Sequence, residues 1–118
     1  MHKFVIRFIY TSASWARMLN VTDDRVATVA ALLEHFEGRL ESMYWEVETA
    51  SSYVIADLPD SASAAAAILV ATKTGAFKEV RVHEVLTQEQ LHDVVNLARS
   101  AEEVYRPPGQ AAVERPDI

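Results

Sequence analysis

Hydrophobic and polar residues alternate along the chain in patterns that predict four strands and three helices. Residues 3–10, KFVIRFIY, are dense in Phe, Val and Ile, which is typical of a strand buried on both faces. A long polar connection follows, with one short helical turn predicted at residues 15–19. Apolar residues at helical spacing then occupy positions 26–36, after Thr22 as the N-cap, and Gly38 is expected to end this helix in the left-handed conformation.

The second half of the chain continues this alternation of strand and helix. Aromatic and β-branched residues predict strands at residues 39–49 and 52–58, and the small polar sequence TASS between them predicts a hairpin. The segment 59–75 carries a proline, two capping candidates, a run of alanines and a final glycine, which together predict a helix. Residues 77–86 alternate as a fourth strand, and TQEQ at 87–90 predicts a capping box before a third helix.

This order of elements, β-α-β-β-α-β-α, predicts an α+β fold of the ferredoxin-like type, βαββαβ with an extra C-terminal helix. In that topology the four antiparallel strands have the spatial order 4-1-3-2, and both helices of the repeat cover one face of the sheet. At 118 residues the chain fits one domain, which we predict at residues 1–105. Residues 106–118 are rich in proline and are predicted to form a disordered tail.

Alternation within each strand predicts which side chains face the helices and which lie on the open face of the sheet. In the first strand Phe4, Ile6 and Phe8 are the more apolar set and are assigned to the helices, so Arg7 points to the open face. The second strand is ambiguous, and the set that contains Trp45 is favoured for the open face. The predicted open face consists of Val5, Arg7, Ile9, Met43, Trp45, Val47, Tyr53, Ile55, Asp57, Glu79, Arg81, His83 and Val85.

An open face with this many apolar side chains predicts self-association, because a monomer would leave them in water. The simplest cover is a second copy of the chain, since two sheets that face each other across a two-fold axis close a dimeric α/β barrel. Arg7 would then line a half-buried cavity, with Asp57 or Glu79 as its partner. We therefore expect a homodimer, or a higher oligomer built from it.

Composition narrows the classes of function. The formal net charge of −6 argues against an extended nucleic-acid surface or a polybasic membrane patch. The chain has no cysteine, which excludes disulfides and thiolate metal sites. No apolar run is long enough to cross a bilayer, and the N-terminus shows no export signal. The sequence therefore predicts a cytoplasmic protein whose partners include neither nucleic acid nor membrane.

Several residues of the predicted open face are candidates for a small-molecule site. His83 is the candidate general acid or base, because imidazole titrates near neutral pH, and a structural histidine is the alternative. Arg7 suits a substrate carboxylate, enolate or phenolate, and a structural ion pair with Asp57 is the alternative. Tyr53 and Trp45 are suited either to contacting an aromatic substrate or to plain packing.

Asp57 and Arg81 belong to the predicted substrate-binding set, and Trp15 completes it. Trp15 lies in the long connection after the first strand, where it is either a lid over the cavity or an anchor for the loop. No histidine has a metal-ligand spacing, and the chain lacks a glycine-rich phosphate loop, a nucleophile motif and a dinucleotide motif. The predicted site therefore uses neither a metal nor a cofactor.

Four segments, over roughly Phe4 to Glu89, resemble the GYD-domain family. They are FVIRFIYT, DDRVATVAALLEHFEGRL, SSYVIADLPDSASAAAAIL and FKEVRVHEVLTQEQ. The most specific match is Asp57 and Leu58 at the end of a strand, then Pro59, Asp60 and the alanines at 64–67. The Gly-Tyr-Asp signature that names the family is absent, since the chain reads ETASSY before the third strand. The resemblance implies a ferredoxin-like fold and dimerisation, and it assigns no activity.

Two functions are consistent with these observations. Dimeric α/β barrels related to the resembled family include cofactor-free monooxygenases, cyclases, isomerases and ligand-sensing domains. The first function is a small cofactor-independent cyclase, isomerase or lyase of specialised metabolism, acting on an aromatic or polyketide-like molecule, with His83 and Arg7 as catalytic residues. The second is a non-catalytic dimeric module that binds a small molecule or docks a partner.

Overall fold

The computed structural model describes residues 1–110, and within them the chain forms four strands and four helices. In chain order they are β1 (His2–Tyr10), α1 (Ser12–Asn20), α2 (Arg25–His35), β2 (Arg39–Glu46), β3 (Ser51–Leu58), α3 (Ser61–Lys73), β4 (Phe77–Val85) and α4 (Gln88–Arg99). The strands form one antiparallel sheet in the order β2-β3-β1-β4. This is the predicted order counted from the opposite edge, so the α+β ferredoxin-like fold is confirmed.

One helix is longer than the sequence pattern indicated. The predicted turn at residues 15–19 is α1, a helix of 9 residues. Its N-cap is Thr11, whose Oγ1 accepts a hydrogen bond from the backbone N–H of Ser14 at 3.1 Å. Ser14 Oγ in turn donates to the carbonyl oxygen of Ala76 at 2.7 Å, just before β4. The small polar residues that favoured a loop therefore cap α1 and fix its start to the edge of the sheet.

Side-chain caps also set the starts of the other helices. Asp24 caps α2 by accepting a backbone N–H at 3.0 Å, so the predicted cap, Thr22, is wrong by two residues. Asp60, one of the two predicted candidates, caps α3 in the same way at 2.8 Å. Thr87 and Gln90 form the predicted capping box at the start of α4.

The end of α2 depends on two adjacent residues with different roles. Glu37 has a φ of 61°, so the left-handed position that was predicted for Gly38 belongs to Glu37. Gly38 is needed for space, because a Cβ atom there would lie 2.5 Å from the carbonyl oxygen of Asp57 and 2.5 Å from Cδ2 of Leu58. A glycine at this position therefore lets the chain entering β2 approach β3 closely.

The hydrophobic core lies between the helices and one face of the sheet. Phe4, Ile6 and Phe8 are buried on that face, as predicted. Val82 pairs with Ile6 and Val80 with Phe8, so β4 also has the predicted phase. The other core residues are Tyr10, Val29, Leu33, Val54, Ala56, Leu58 and Ala64. The phases predicted for β1, β3 and β4 are thereby confirmed.

The phase of β2 is opposite to the one favoured from the sequence. Trp45 pairs with Ser52 and Met43 pairs with Val54, so both side chains lie on the helix side of the sheet. Val47, the third residue of that set, lies beyond the end of the strand and is 95% exposed. The prediction that these three residues lie on the open face is therefore wrong.

A bulge explains why simple alternation failed for β2. The pairing register shifts between Leu40 and Ser42, which inserts one extra residue into the strand. Arg39, before the bulge, and Tyr44, after it, both pair with open-face residues of β3. Because the extra residue breaks the period of two, the sequence pattern alone gave the wrong face for the second half of the strand.

The chain divides into two units by its internal contacts. The first, Met1–Val85, contains the sheet and α1 to α3, and the second begins at Leu86 and contains α4. α4 carries an exposed apolar stripe of Leu91, Val94 and Val95. Within residues 1–110, no helix is both long enough and apolar enough to cross a membrane. Residues 111–118 of the predicted tail lie outside the described residues.

Candidate functional site

The open face of the sheet contains five of the seven predicted site residues, namely Arg7, Tyr53, Asp57, Arg81 and His83. The strand registers place Arg7 directly between Tyr53 on β3 and Arg81 on β4. His83 lies in the adjacent cross-strand row, and Asp57 lies in the row beyond it. The structure therefore brings Arg7, Tyr53 and Arg81 together and holds Asp57 apart from them.

Arg7 is bound by groups that the sequence did not indicate. Its Nη2 donates to Oε2 of Glu46 at 3.4 Å and to Oγ1 of Thr49 at 3.3 Å. The guanidinium carbon lies 5.7 Å from the centre of the Tyr53 ring, which is a cation–π arrangement. Arg7 therefore reaches across β3 to the end of β2, and its charge is compensated within one chain.

The two partners predicted for this arginine, Asp57 and Glu79, are wrong because each carboxylate has another cation. Asp57 accepts hydrogen bonds from Lys3 Nζ at 2.9 Å and from Arg39 Nη2 at 3.0 Å. Glu79 accepts a hydrogen bond from Arg81 Nε at 2.8 Å. The open face thus carries three separate charged groups, centred on Arg7, Asp57 and Arg81.

Two of these carboxylates are held in the ionised form. Hydrogen bonds from Thr49 and then Tyr53 hold the pKa of Glu46 below its ordinary value. A hydrogen bond from Lys3 is the largest cause of the lowered pKa of Asp57. A carboxylate that stays ionised at neutral pH is a poor proton donor, so both groups are suited to neutralising cations.

His83, the predicted acid or base, is exposed on β4. The two carboxylates of the same strand are engaged elsewhere: Glu79 with Arg81, and Glu84 with His2 Nδ1 at 3.0 Å. β4 therefore supplies no free carboxylate to orient the imidazole. Within residues 1–110, no group of three or more His, Asp or Glu side chains is placed to hold a metal ion.

The remaining two predicted site residues, Trp15 and Trp45, lie on the helix side in an aromatic cluster with Tyr10. Their ring centres are 5.7 Å apart, and they lie 5.4 Å and 5.6 Å from the ring centre of Tyr10. Trp15 Nε1 also donates to the carbonyl oxygen of Ala50, in the turn between β2 and β3, at 3.1 Å. These contacts support the anchor interpretation of Trp15 and separate Trp45 from the open-face residues.

A pocket of about 560 Å³ lies on the helix side of the sheet, where the sequence analysis predicted none. Ile6, Phe8 and Val54 line it from the sheet, and residues of α2 and α3 line it from the two sides. Small-molecule sites commonly have volumes of about 300–1,000 Å³ and are mostly apolar. This pocket has both properties and is formed entirely within the first unit.

The pocket exists because α3 presents small side chains toward the sheet. Ala64 and Ala67 are buried in this helix, and Ala67 and Ala71 line the pocket. A methyl group fills less space than the branched side chains common in cores, so a gap is left beside α2. The alanine run at residues 64–67 was interpreted only as a helix-forming signal, and it is the sequence feature that could have indicated this gap.

The polar residues that line the pocket come mainly from α1, from the connection after it and from the first turn of α2. They are Ser14, Arg17, Thr22, Asp23, Arg25, Thr28 and Thr74. Arg25 Nη1 lies 3.3 Å from Oδ2 of Asp23, and Arg17 Nη2 donates to Ser14 Oγ at 3.3 Å. The pocket therefore combines apolar walls with a rim that carries two guanidinium groups and one carboxylate.

A family model described as GYD domain matches residues 4–95 of the chain. The matched range runs from β1 into α4, so it includes the sheet apart from the first two residues of β1, and all the residues that line the helix-side pocket. None of the curated proteins matches the chain. The family suspected from four sequence segments is thereby confirmed over a range that extends beyond those segments.

Proposed function

This chain belongs to the GYD-domain family, and we propose that it is a binding module that holds an apolar small molecule in the pocket on the helix side of its sheet. The observation that carries this proposal is the pocket of about 560 Å³ lined from the sheet by Ile6, Phe8 and Val54. Transfer of a ligand's apolar surface from water into such a pocket is favourable. An apolar molecule is therefore the class of ligand that this site fits.

The groups that line the pocket favour binding over catalysis. Its charged residues are Arg17, Arg25 and Asp23, and an arginine side chain does not become deprotonated in a protein, so it cannot act as a general acid or base. Asp23 is paired with Arg25, and the Tyr10 hydroxyl hydrogen-bonds Ser52 Oγ at 3.0 Å. General acid–base catalysis needs a group that both releases and takes up a proton at the working pH. The lining is better suited to holding a molecule than to converting it.

A homodimer in the cytoplasm is part of the proposal. Val5, Ile9, Ile55 and Val85 are half-buried on the open face, and Tyr44 is 61% exposed there. A second copy of the chain would remove this apolar surface from water. The charged groups of the same face are already paired within one chain, so they enter an interface without leaving an unpaired charge. The acidic, cysteine-free composition supports the cytoplasmic location.

A second candidate function is the cofactor-independent acid–base enzyme, acting on an aromatic or polyketide-like molecule. The observation that favours it is the shared cross-strand row of Tyr53, Arg7 and Arg81, with His83 in the adjacent row. In this candidate, a second copy encloses the row and His83 transfers the proton. Loss of turnover in His83→Ala and Arg7→Ala, with the assembly intact, would favour the enzyme over the binding module.

The binding proposal is tested by filling the pocket. Ala71→Phe places an aromatic ring inside it, and Ala65→Phe places the same ring on the exposed side of α3. The neutral fluorescent probe N-phenylnaphthylamine is titrated into the wild type and both variants. We expect Ala71→Phe to weaken probe binding about tenfold or more and Ala65→Phe to leave it unchanged.

Unchanged probe binding in a folded Ala71→Phe variant would overturn the proposal. Folding of each variant is checked by circular dichroism. If Ala71→Phe does not fold, Ala71→Leu places a smaller side chain in the pocket, and it is also expected to weaken probe binding. Absence of probe binding to the wild type would also count against a pocket for apolar molecules.

A further inference from the structure

Resting on the proposed function of the same pocket, we propose that its ligand is an amphipathic carboxylate, with its apolar body against the sheet and its anionic head bound by Arg17. Arg17 lies in the last turn of α1 and lines the pocket. Met18, its neighbour in α1, also lines the pocket, as do Ile6 and Phe8 of β1. The site therefore presents a cation and an apolar surface to the same bound molecule.

Arg17 has hydrogen-bonding capacity to offer a ligand. Its Nη2 donates to Ser14 Oγ at 3.3 Å. Within residues 1–110, Arg17 forms no ion pair with a carboxylate, whereas Arg25 on the same rim is paired with Asp23. A guanidinium has five N–H donors in a planar fork that can bind a carboxylate with two parallel hydrogen bonds. A ligand carboxylate is a partner of matching geometry and opposite charge.

The charge of the rim favours an anion over a cation or a neutral molecule. On the rim, the charges of Arg25 and Asp23 offset each other, and Arg17 adds one positive charge. A cationic ligand would have no unpaired carboxylate to bind among the lining residues, since Asp23 is paired with Arg25. A neutral ligand would not form an ion pair with the guanidinium of Arg17.

The apolar walls require that the ligand be amphipathic and not a small inorganic anion. A carboxylate that entered the pocket alone would lose hydration along the apolar lining without compensation. A molecule with an apolar tail keeps its carboxylate at the rim and transfers the tail from water to the lining. Both kinds of lining group are then used by one ligand, which explains their presence in one pocket.

Three probes with the same apolar chain and different heads test the inference: laurate, dodecanol and dodecyltrimethylammonium. Each is titrated below its micelle concentration into the wild type, Arg17→Gln and Arg99→Gln, with binding followed by calorimetry. Arg99→Gln removes one positive charge from α4 at a residue that is not among those lining the pocket, and it serves as the matched control. We expect laurate to bind the wild type most tightly and to bind Arg17→Gln about tenfold more weakly.

The control outcomes separate this inference from the proposed function. Dodecanol is expected to bind the wild type and Arg17→Gln equally, which also shows that the variant retains its pocket. Equal affinity of laurate and dodecanol for the wild type, tighter binding of the ammonium probe, or unchanged laurate binding in Arg17→Gln would overturn the anion inference while leaving an apolar site. Failure of all three probes to bind would instead overturn the proposed function, and the inference with it.

Discussion

Trp45 lies opposite Ser52 in the pairing of β2 with β3, and its indole therefore faces the helix side of the sheet, 5.6 Å from the ring centre of Tyr10. Trp15 from α1 completes the cluster, since its ring centre lies 5.4 Å from that of Tyr10 and 5.7 Å from that of Trp45. The only buried residue of α1 is Ser14, so this helix has little apolar burial of its own to hold it. The aromatic cluster and Met18, which packs against the core, therefore provide the apolar attachment of α1 to the sheet.

The two tryptophans are expected to stabilise the fold jointly. Trp15→Ala and Trp45→Ala should each lower the free energy of unfolding by about 1–3 kcal/mol, less than for fully buried tryptophans because Trp45 is 44% exposed. The double variant should lose less than the sum of the single losses, by about 0.5–1.5 kcal/mol. Urea unfolding followed by circular dichroism measures all three values. Strictly additive losses would show that the two rings are not coupled.

Three strands could be assigned to their faces from the sequence because the register shift between β1 and β4 falls at the ends of these strands, between Ile9 and Tyr10, and the residues used for the assignment alternate regularly. Phe4, Ile6 and Phe8 are spaced by two residues, and a strand with that spacing has only one face on which to bury them. β2 could not be assigned in this way, since the bulge between Leu40 and Ser42 has no marker such as glycine or proline. The wrong phase for β2 is the reason that Trp45 was predicted to belong to the open-face site.

The partner of Arg7 and the helix-side pocket could not be predicted for a different reason. Arg7 reaches Glu46 across an intervening strand, and the length of its side chain allows several carboxylates to be reached from one backbone position. The pocket depends on the space left between α2 and α3, which follows from packing of several side chains and not from any local pattern. Local patterns predict elements and faces, whereas these two features arise only from three-dimensional packing.

Gly38 and Glu37 should respond in opposite ways to substitution. In Gly38→Ala the new Cβ meets the carbonyl oxygen of Asp57, so the free energy of unfolding should fall by about 1–3 kcal/mol. Glu37→Gly removes a side chain from a left-handed residue and should be neutral or stabilising by up to about 1 kcal/mol. Thermal and urea unfolding measure both effects. A destabilised Glu37→Gly together with an unchanged Gly38→Ala would contradict the roles assigned to these positions.

The ion pairs of Asp57 should make stability depend on pH in the acid range. The pKa of Asp57 is lowered in the folded chain, chiefly by its hydrogen bond from Lys3. In the unfolded chain an aspartate has its ordinary pKa of about 3.9. A lowered pKa means that the folded state favours the ionised form, so its contribution is present above the unfolded pKa and is lost as the pH falls through the folded one. Asp57→Asn should therefore be less stable than the wild type at pH 7, with a smaller difference at low pH.

This pH dependence is measured by urea unfolding across a series of acid buffers. Asp93→Asn is the control, since it removes an exposed carboxylate of α4 that is not part of the ion pairs of Asp57. A difference between Asp57→Asn and the wild type that stayed constant down to low pH would show that the lost contribution does not depend on ionisation.

The open face should be the surface through which two copies associate. Ile55 lies in its central row, paired with Val5 on β1 and Ser42 on β2, so Ile55→Lys places a charge in the middle of the proposed interface. Leu69→Lys makes a similar change on α3, where Leu69 is already 70% exposed. Sedimentation equilibrium at micromolar concentration should give a dimer for the wild type and Leu69→Lys, and a monomer for Ile55→Lys.

We expect this result because burying an unpaired ammonium group between two sheets is costly in free energy. This cost is larger than the loss of the isoleucine contact alone. In a monomer the same lysine extends into water, so Ile55→Lys should remain folded by circular dichroism. A wild type that sediments as a monomer would contradict the proposed homodimer directly. A dimeric Ile55→Lys would show that association uses another surface, and the cavity proposed between the two open faces would then have no basis.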